Sequence, residues 1–120
     1  MRACFGPFSI DTERRRLEKD GVELHLTPKA FDLLVLLIQA APKVVSKQDI
    51  HARLWPDSFV ADATLVGLVK EIRRVLQQRG HDPIRTYHRV GYAFSGSLAA
   101  GPLEKAEGGH WIVRGQERTA

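Results

Sequence analysis

A chain of 120 residues, 43% hydrophobic and 27% charged, has the length of one typical domain and enough apolar content to bury its own core. Its single cysteine, Cys4, rules out an internal disulfide, and its histidines lack the spacing of a metal site, which excludes a disulfide scaffold and a zinc module. The net charge of +4 is a mild hint of a polyanionic partner, but three of those four excess charges fall between Phe59 and Gly96, where Lys70, Arg73, Arg74, Arg79, Arg85 and Arg89 outnumber Asp62, Glu71 and Asp82.

Taken in chain order, β-forming runs come first: Ala3 to Ile10, Arg15 to Glu18 and Val22 to Leu26. The Asp20-Gly21 pair between the last two predicts a tight hairpin, because both central turn residues tolerate positive φ. Thr27-Pro28 then predicts a helix start, with threonine as cap, proline in the first turn, and Leu26 and Phe31 at the two positions of a hydrophobic staple. That helix should run to Ala41 and stop at Pro42, and its run of Leu33 to Ile38 is apolar almost all round, as in a helix packed between other elements. The same run, from Phe31 and broken by Asp32, is too short to span a bilayer, and the N-terminus has no signal-peptide pattern.

Ser46-Lys47-Gln48-Asp49 predicts a second, short helix ending near Trp55-Pro56, with Val45 and Ile50 as its staple. Past a loop at Pro56-Asp57-Ser58, a third helix is expected over Asp62 to Gln78, stopped by Gly80. At 100° per residue, Leu65, Val69, Ile72 and Leu76 form its core stripe, flanked by Leu68. The opposite face carries Ala63, Gly67, Lys70, Glu71, Arg74 and Gln78, with Thr64 and Arg73 near the flanks. Ile84 to Tyr87 and Tyr92 to Ser95 read as two strands around a basic tip, His88-Arg89-Val90-Gly91.

Small antiparallel sheet, three helices and a terminal β-hairpin make an α+β winged helix-turn-helix. In such a fold a basic third helix suits the major groove, and the hairpin reaches neighbouring backbone or the minor groove. The residues also resemble a known family. Phe5-Gly6-Pro7-Phe8, Leu26-Thr27-Pro28, Phe31-Asp32-Leu33-Leu34, Val45-Ser46-Lys47, Leu54-Trp55-Pro56 and Gly91-Tyr92-Ala93-Phe94 are similar, in order and spacing, to the OmpR/PhoB-type domain of bacterial transcription regulators. The match runs from about Cys4 to Ser95.

The resemblance implies double-stranded DNA as partner, Asp62 to Gln78 in the major groove, Thr86 to Tyr92 on DNA as the wing, and RNA polymerase against the loop Pro56 to Val60. On that basis the DNA-binding residues are Trp55, Thr64, Gly67, Lys70, Arg73, Arg74, Thr86, His88, Arg89 and Tyr92. Lys70 and Arg74 are read as phosphate contacts, with Arg74 in reach of a base edge, against the plainer reading of a solvated helix face. Trp55 packs its ring and offers its indole N–H to a phosphate. Thr64 is either a phosphate ligand or a local backbone bonder, Arg73 is equally a core-flank residue, Glu71 pairs with a neighbouring cation or accepts from cytosine, and Gly67 either permits close approach to DNA or is merely tolerated.

Ala63, Gly67, Leu68 and Glu71 depart from the arginine or other polar readers common on the outer face in that family, so hydrogen-bonded base readout is thin, and specificity is either weak or rests on thymine methyl contacts and DNA shape. The same four residues support a rival reading, a winged helix that docks protein and has lost DNA. His88 stands where many relatives carry arginine. No catalytic constellation, cofactor site or metal site is visible, so an enzyme is not expected. A cytoplasmic regulator, binding as a dimer or as tandem copies on repeated half-sites, is. The domain is expected to occupy 1–98. Residues 99–120 read as a linker through Gly108-Gly109 and the possible start of a following domain at His110-Trp111-Ile112-Val113; the tail resembles the beginning of a forkhead-associated domain, a phosphothreonine reader.

Overall fold

The computed structural model describes residues 1–77, 82–96, 103–105 and 111–113, the last two segments as backbone strands. The chain divides into two compact units, Met1–His25 with Gly96–Ala120, and Leu26–Ser95. Gln78, Gly80, the Gly108-Gly109 linker and His110, singled out above, lie outside the described residues.

In the first unit, β1 (Arg2–Phe5), β2 (Phe8–Asp11), β3 (Arg16–Lys19) and β4 (Val22–Leu24) form an antiparallel sheet in sequential order. The run Ala3 to Ile10, read as one strand, is two. Gly6, at φ 57°, turns the chain so that Phe5 pairs with Phe8, and their rings stack at 5.4 Å. The Asp20-Gly21 turn is as expected, with φ 50° and 85° and Lys19 opposite Val22. At the β2–β3 turn Asp11 accepts from the backbone N–H of Glu13 and Arg14 and from Arg2 Nε. Partial desolvation pushes this carboxyl up, but those donors outweigh it and leave its pKa below the usual carboxylate value. Cys4 is buried, and burial raises its thiol to about 11. Two further strands, β8 (Leu103–Lys105) and β9 (Trp111–Val113), pair antiparallel, so Leu103–Lys105 is strand within the stretch read as linker.

The second unit is built on α1 (Pro28–Ala40), which packs against α2 (Lys47–Leu54), α3 (Asp62–Val75) and the last strand of the unit. Ala30, Phe31, Leu33, Leu34, Leu37 and Ile38 are its buried residues, and each fully buried leucine or isoleucine contributes about 1.5–3 kcal/mol relative to exposure. Leu26 and Phe31, the staple pair, are both buried. Ser46 caps α2 as expected, its Oγ accepting from Asp49 N at 3.0 Å.

β6 (Ile84–Tyr87) and β7 (Gly91–Phe94) form the expected hairpin, but the sheet has a third member, β5 (Val45–Ser46), antiparallel to β7. A Cβ at Gly91 would lie 1.9 Å from the Val45 carbonyl oxygen, so only glycine allows the two backbones to approach. Lys47 N–H adds a bond to Val90 O, fixing the start of α2 to the hairpin turn.

Candidate nucleic-acid interface

α3 follows an exposed loop, and its N-cap, Ala61, has no side chain able to cap. Its core stripe is as the periodicity predicted: Leu65, Val69, Ile72 and Leu76 are at most 1% exposed. The helix ends at Val75, before the expected Gln78, with Leu76 as C-cap. Ala63, Thr64, Val66, Gly67, Lys70 and Arg74 are exposed. Around Gly67 a Cβ would meet nothing within 4 Å, so the glycine is not a packing requirement.

The two charged residues on the flanks of that outer face are held within the unit. Glu71 accepts from Thr27 N at 2.7 Å and Thr27 Oγ1 at 2.8 Å. This replaces both expectations for it, a neighbouring cation or a cytosine, and it takes the Thr27 hydroxyl, which makes no cap bond to α1. The cause is geometric: α1 begins beside the middle of α3, and a carboxylate there satisfies a free N–H and a hydroxyl at once. On the other flank Arg73 forks across the base of the hairpin. Its Nε pairs with Asp82 at 3.2 Å, and its Nη2 donates to Ile84 O and Thr86 Oγ1, both at 2.9 Å. Arg73 and Thr86 are therefore a joint between helix and hairpin.

Lys70 and Arg74 make no hydrogen bond or ion pair among the described residues, and they lie on the exposed side of α3 between the two anchored flanks. At the hairpin tip His88, Arg89 and Val90 are exposed, the turn is closed by Val90 N–H on Tyr87 O at 2.9 Å, and Arg89 adopts φ 65°. Arg85 lies over the Tyr87 ring at 5.3 Å. Tyr92, read from the resemblance as a DNA contact, is 5% exposed and pairs with Thr86 in the hairpin, so most of it is packed inside the unit. Local pattern does not reveal this burial, because a tyrosine next to glycine in a wing reads equally as tip or core.

Trp55, the C-cap of α2, is half-buried beneath Lys29, whose ammonium lies 5.9 Å from the ring centroid and donates to Leu54 O. The His51 ring stands 5.4 Å from it, and His51 Nε2 is 3.2 Å from Asp62 Oδ1, off the angle of a hydrogen bond. No group of three His, Cys, Asp or Glu residues that could hold a metal occurs among the described residues, nor is any helix there long and apolar enough to cross a membrane.

Residues 21–94 match the family model described as transcriptional regulatory protein, C terminal. The chain belongs to that family. Among curated relatives, the transcriptional regulator HilA of Salmonella typhi is 32% identical over 88 residues, which are 72% of this chain and 15% of HilA. The response regulator DrrB of Thermotoga maritima, an OmpR/PhoB homologue, superposes with a TM-score of 0.72 at 28% identity, over 79% of this chain and 44% of DrrB. The DNA-binding domain of Bacillus subtilis CssR superposes at 0.64 with 28% identity, over 73% of this chain and 99% of that domain. The chain thus spans a minor part of HilA and DrrB but the whole of the CssR domain. The fold is that of the OmpR/PhoB-type winged helix, in chain order an antiparallel sheet, three helices and a terminal hairpin.

Proposed function

We propose that this chain is the DNA-binding part of a bacterial transcription regulator, with α3 in the major groove and the β6–β7 hairpin on the adjacent backbone or minor groove. The observation that carries it is the pair Lys70 and Arg74, exposed without a protein partner among the described residues, on a helix whose neighbour Arg73 is bonded to the hairpin strand. Cations of helix and wing can then meet one duplex together, as an α-helix and a hairpin fit the groove and its phosphates. The family membership and the likeness to the CssR DNA-binding domain support the same reading.

In this reading Lys70 and Arg74 contact phosphates, with Arg74 in reach of a base edge, and Arg89 and His88 meet the backbone from the wing. Thr64 and the Trp55 indole N–H serve as neutral phosphate donors, and Gly67 lets the backbone approach the groove. Arg73 and Thr86 act by holding the wing against α3. The loop Pro56 to Val60, where Phe59 is fully exposed, faces RNA polymerase; the regulator works in the cytoplasm, without catalysis, and binds repeated half-sites as tandem or dimeric copies. The rival reading, α3 as a protein-docking face, is weakened because Leu68 is half-buried and Glu71 is engaged by Thr27.

Fluorescence anisotropy with labelled duplex DNA tests the proposal. The double variant Lys70→Ala, Arg74→Ala is expected to keep its circular dichroism spectrum and bind at least tenfold more weakly at low salt, since each lost phosphate contact removes released counterions. Unchanged affinity would take α3 out of the interface, and no binding by the parent protein would overturn the assignment.

A further inference from the structure

The face that α3 offers to DNA divides along its length. Of its polar flanks, Glu71 is bonded to Thr27 and Arg73 to Asp82, Ile84 and Thr86. Besides Asp62 and Thr64 at its start, what remains exposed is small or apolar in the first two turns, Ala63, Val66 and Gly67, and cationic in the last two, Lys70 and Arg74. The N-terminal turns of a recognition helix are the ones that meet base edges. Here those turns carry no arginine, lysine, asparagine or glutamine to pair with a purine edge, and Asp62, the acid of the first turn, faces His51 of α2.

Val66 is 39% exposed although β-branched, and Gly67 sits in open space in mid-helix. Both residues are poor helix formers, and packing explains neither choice. A valine methyl and an alanine methyl match one feature of the major-groove edge, the thymine C5-methyl, which is apolar and projects into the groove. Gly67 beside them removes the side chain that would hold the helix away.

We infer that α3 reads its site by van der Waals contact of Ala63 and Val66 with thymine C5-methyl groups, brought close by Gly67, while Lys70 and Arg74 supply affinity for phosphate. This rests on the DNA-binding reading above and adds the chemical class of sequence that the helix recognises: thymine-bearing half-sites, distinguished by methyl groups rather than by hydrogen-bonded purines.

The test starts from duplexes selected out of a random pool by the purified 120-residue protein. Each thymine of the selected site is replaced singly by deoxyuridine, which removes the methyl and leaves every hydrogen-bonding group. One or more replacements are expected to weaken binding about fourfold per contacted methyl. For Val66→Ala, whose site is exposed, the thymine-to-uracil penalty is expected to shrink at one position and to persist at the other contacted thymines. Equal affinity for thymine and uracil throughout a selected site, or selected sites without thymine, overturns the inference and leaves the DNA-binding reading standing. Failure to bind any duplex overturns that reading, and this inference with it.

Discussion

Arg89 holds a left-handed backbone at φ 65° with a full side chain, a conformation that costs a non-glycine residue about 1 kcal/mol or more. That strain sits at the exposed tip, where Arg89 has no partner among the described residues. Arg89→Gly is therefore expected to raise thermal stability by about 1 kcal/mol while weakening DNA binding, because the turn relaxes and a cation is lost. Calorimetry and a DNA titration on the same preparation check the opposite signs; lower stability would show that the turn is not strained. Residue types such as these were legible in the sequence, but their engagements were not. Helical periodicity alone puts Lys70 and Arg74 on the outer face of α3, where both are exposed; their assignment to DNA comes from the family resemblance. The engagements of Glu71, Arg73 and Tyr92 are not legible in local pattern, because each is decided by a group distant in the chain: Thr27, Asp82 with Thr86, and the packing around β7.

The second unit depends on a join of elements that periodicity does not reveal. The three helices could be read from cap residues and apolar stripes, whose signals are local. β5, only two residues long, could not, because its one qualification as a strand is Gly91 across the sheet. Gly91→Ala is expected to break the β5–β7 pairing, since the new methyl would collide with the Val45 carbonyl. The expected cost is about 1–3 kcal/mol or more, the range for forced overpacking. Urea denaturation gives the magnitude, and faster amide exchange at Lys47, whose N–H bonds Val90 O, locates it. Unaltered protection there would mean that the strand contributes little. The Gly6-Pro7 turn was overlooked for a related reason, because β-formers flank it closely on both sides.

At the scale of the whole molecule, charge placement matters more than charge total. A net +4 spread evenly would make a weak nucleic-acid ligand, but the excess lies on α3 and the wing. With Lys70, Arg74 and Arg89 each neutralising one phosphate, log affinity against log salt concentration is expected to fall with a slope of about −2.7 on a single half-site, and about twice that on two adjacent half-sites filled together. Titrations at several salt concentrations on both duplexes measure it. A slope near zero would leave no role for those cations, and an identical slope on both would exclude paired occupancy. The core, in turn, is served by residues that take no part in that surface.

Gly67 separates these two economies at a single position. Because a Cβ there would meet nothing within 4 Å, packing sets no bar to alanine, which would even favour the helix. Gly67→Ala would thus leave the monomer at least as stable, so the thermodynamics of folding does not account for glycine at this codon.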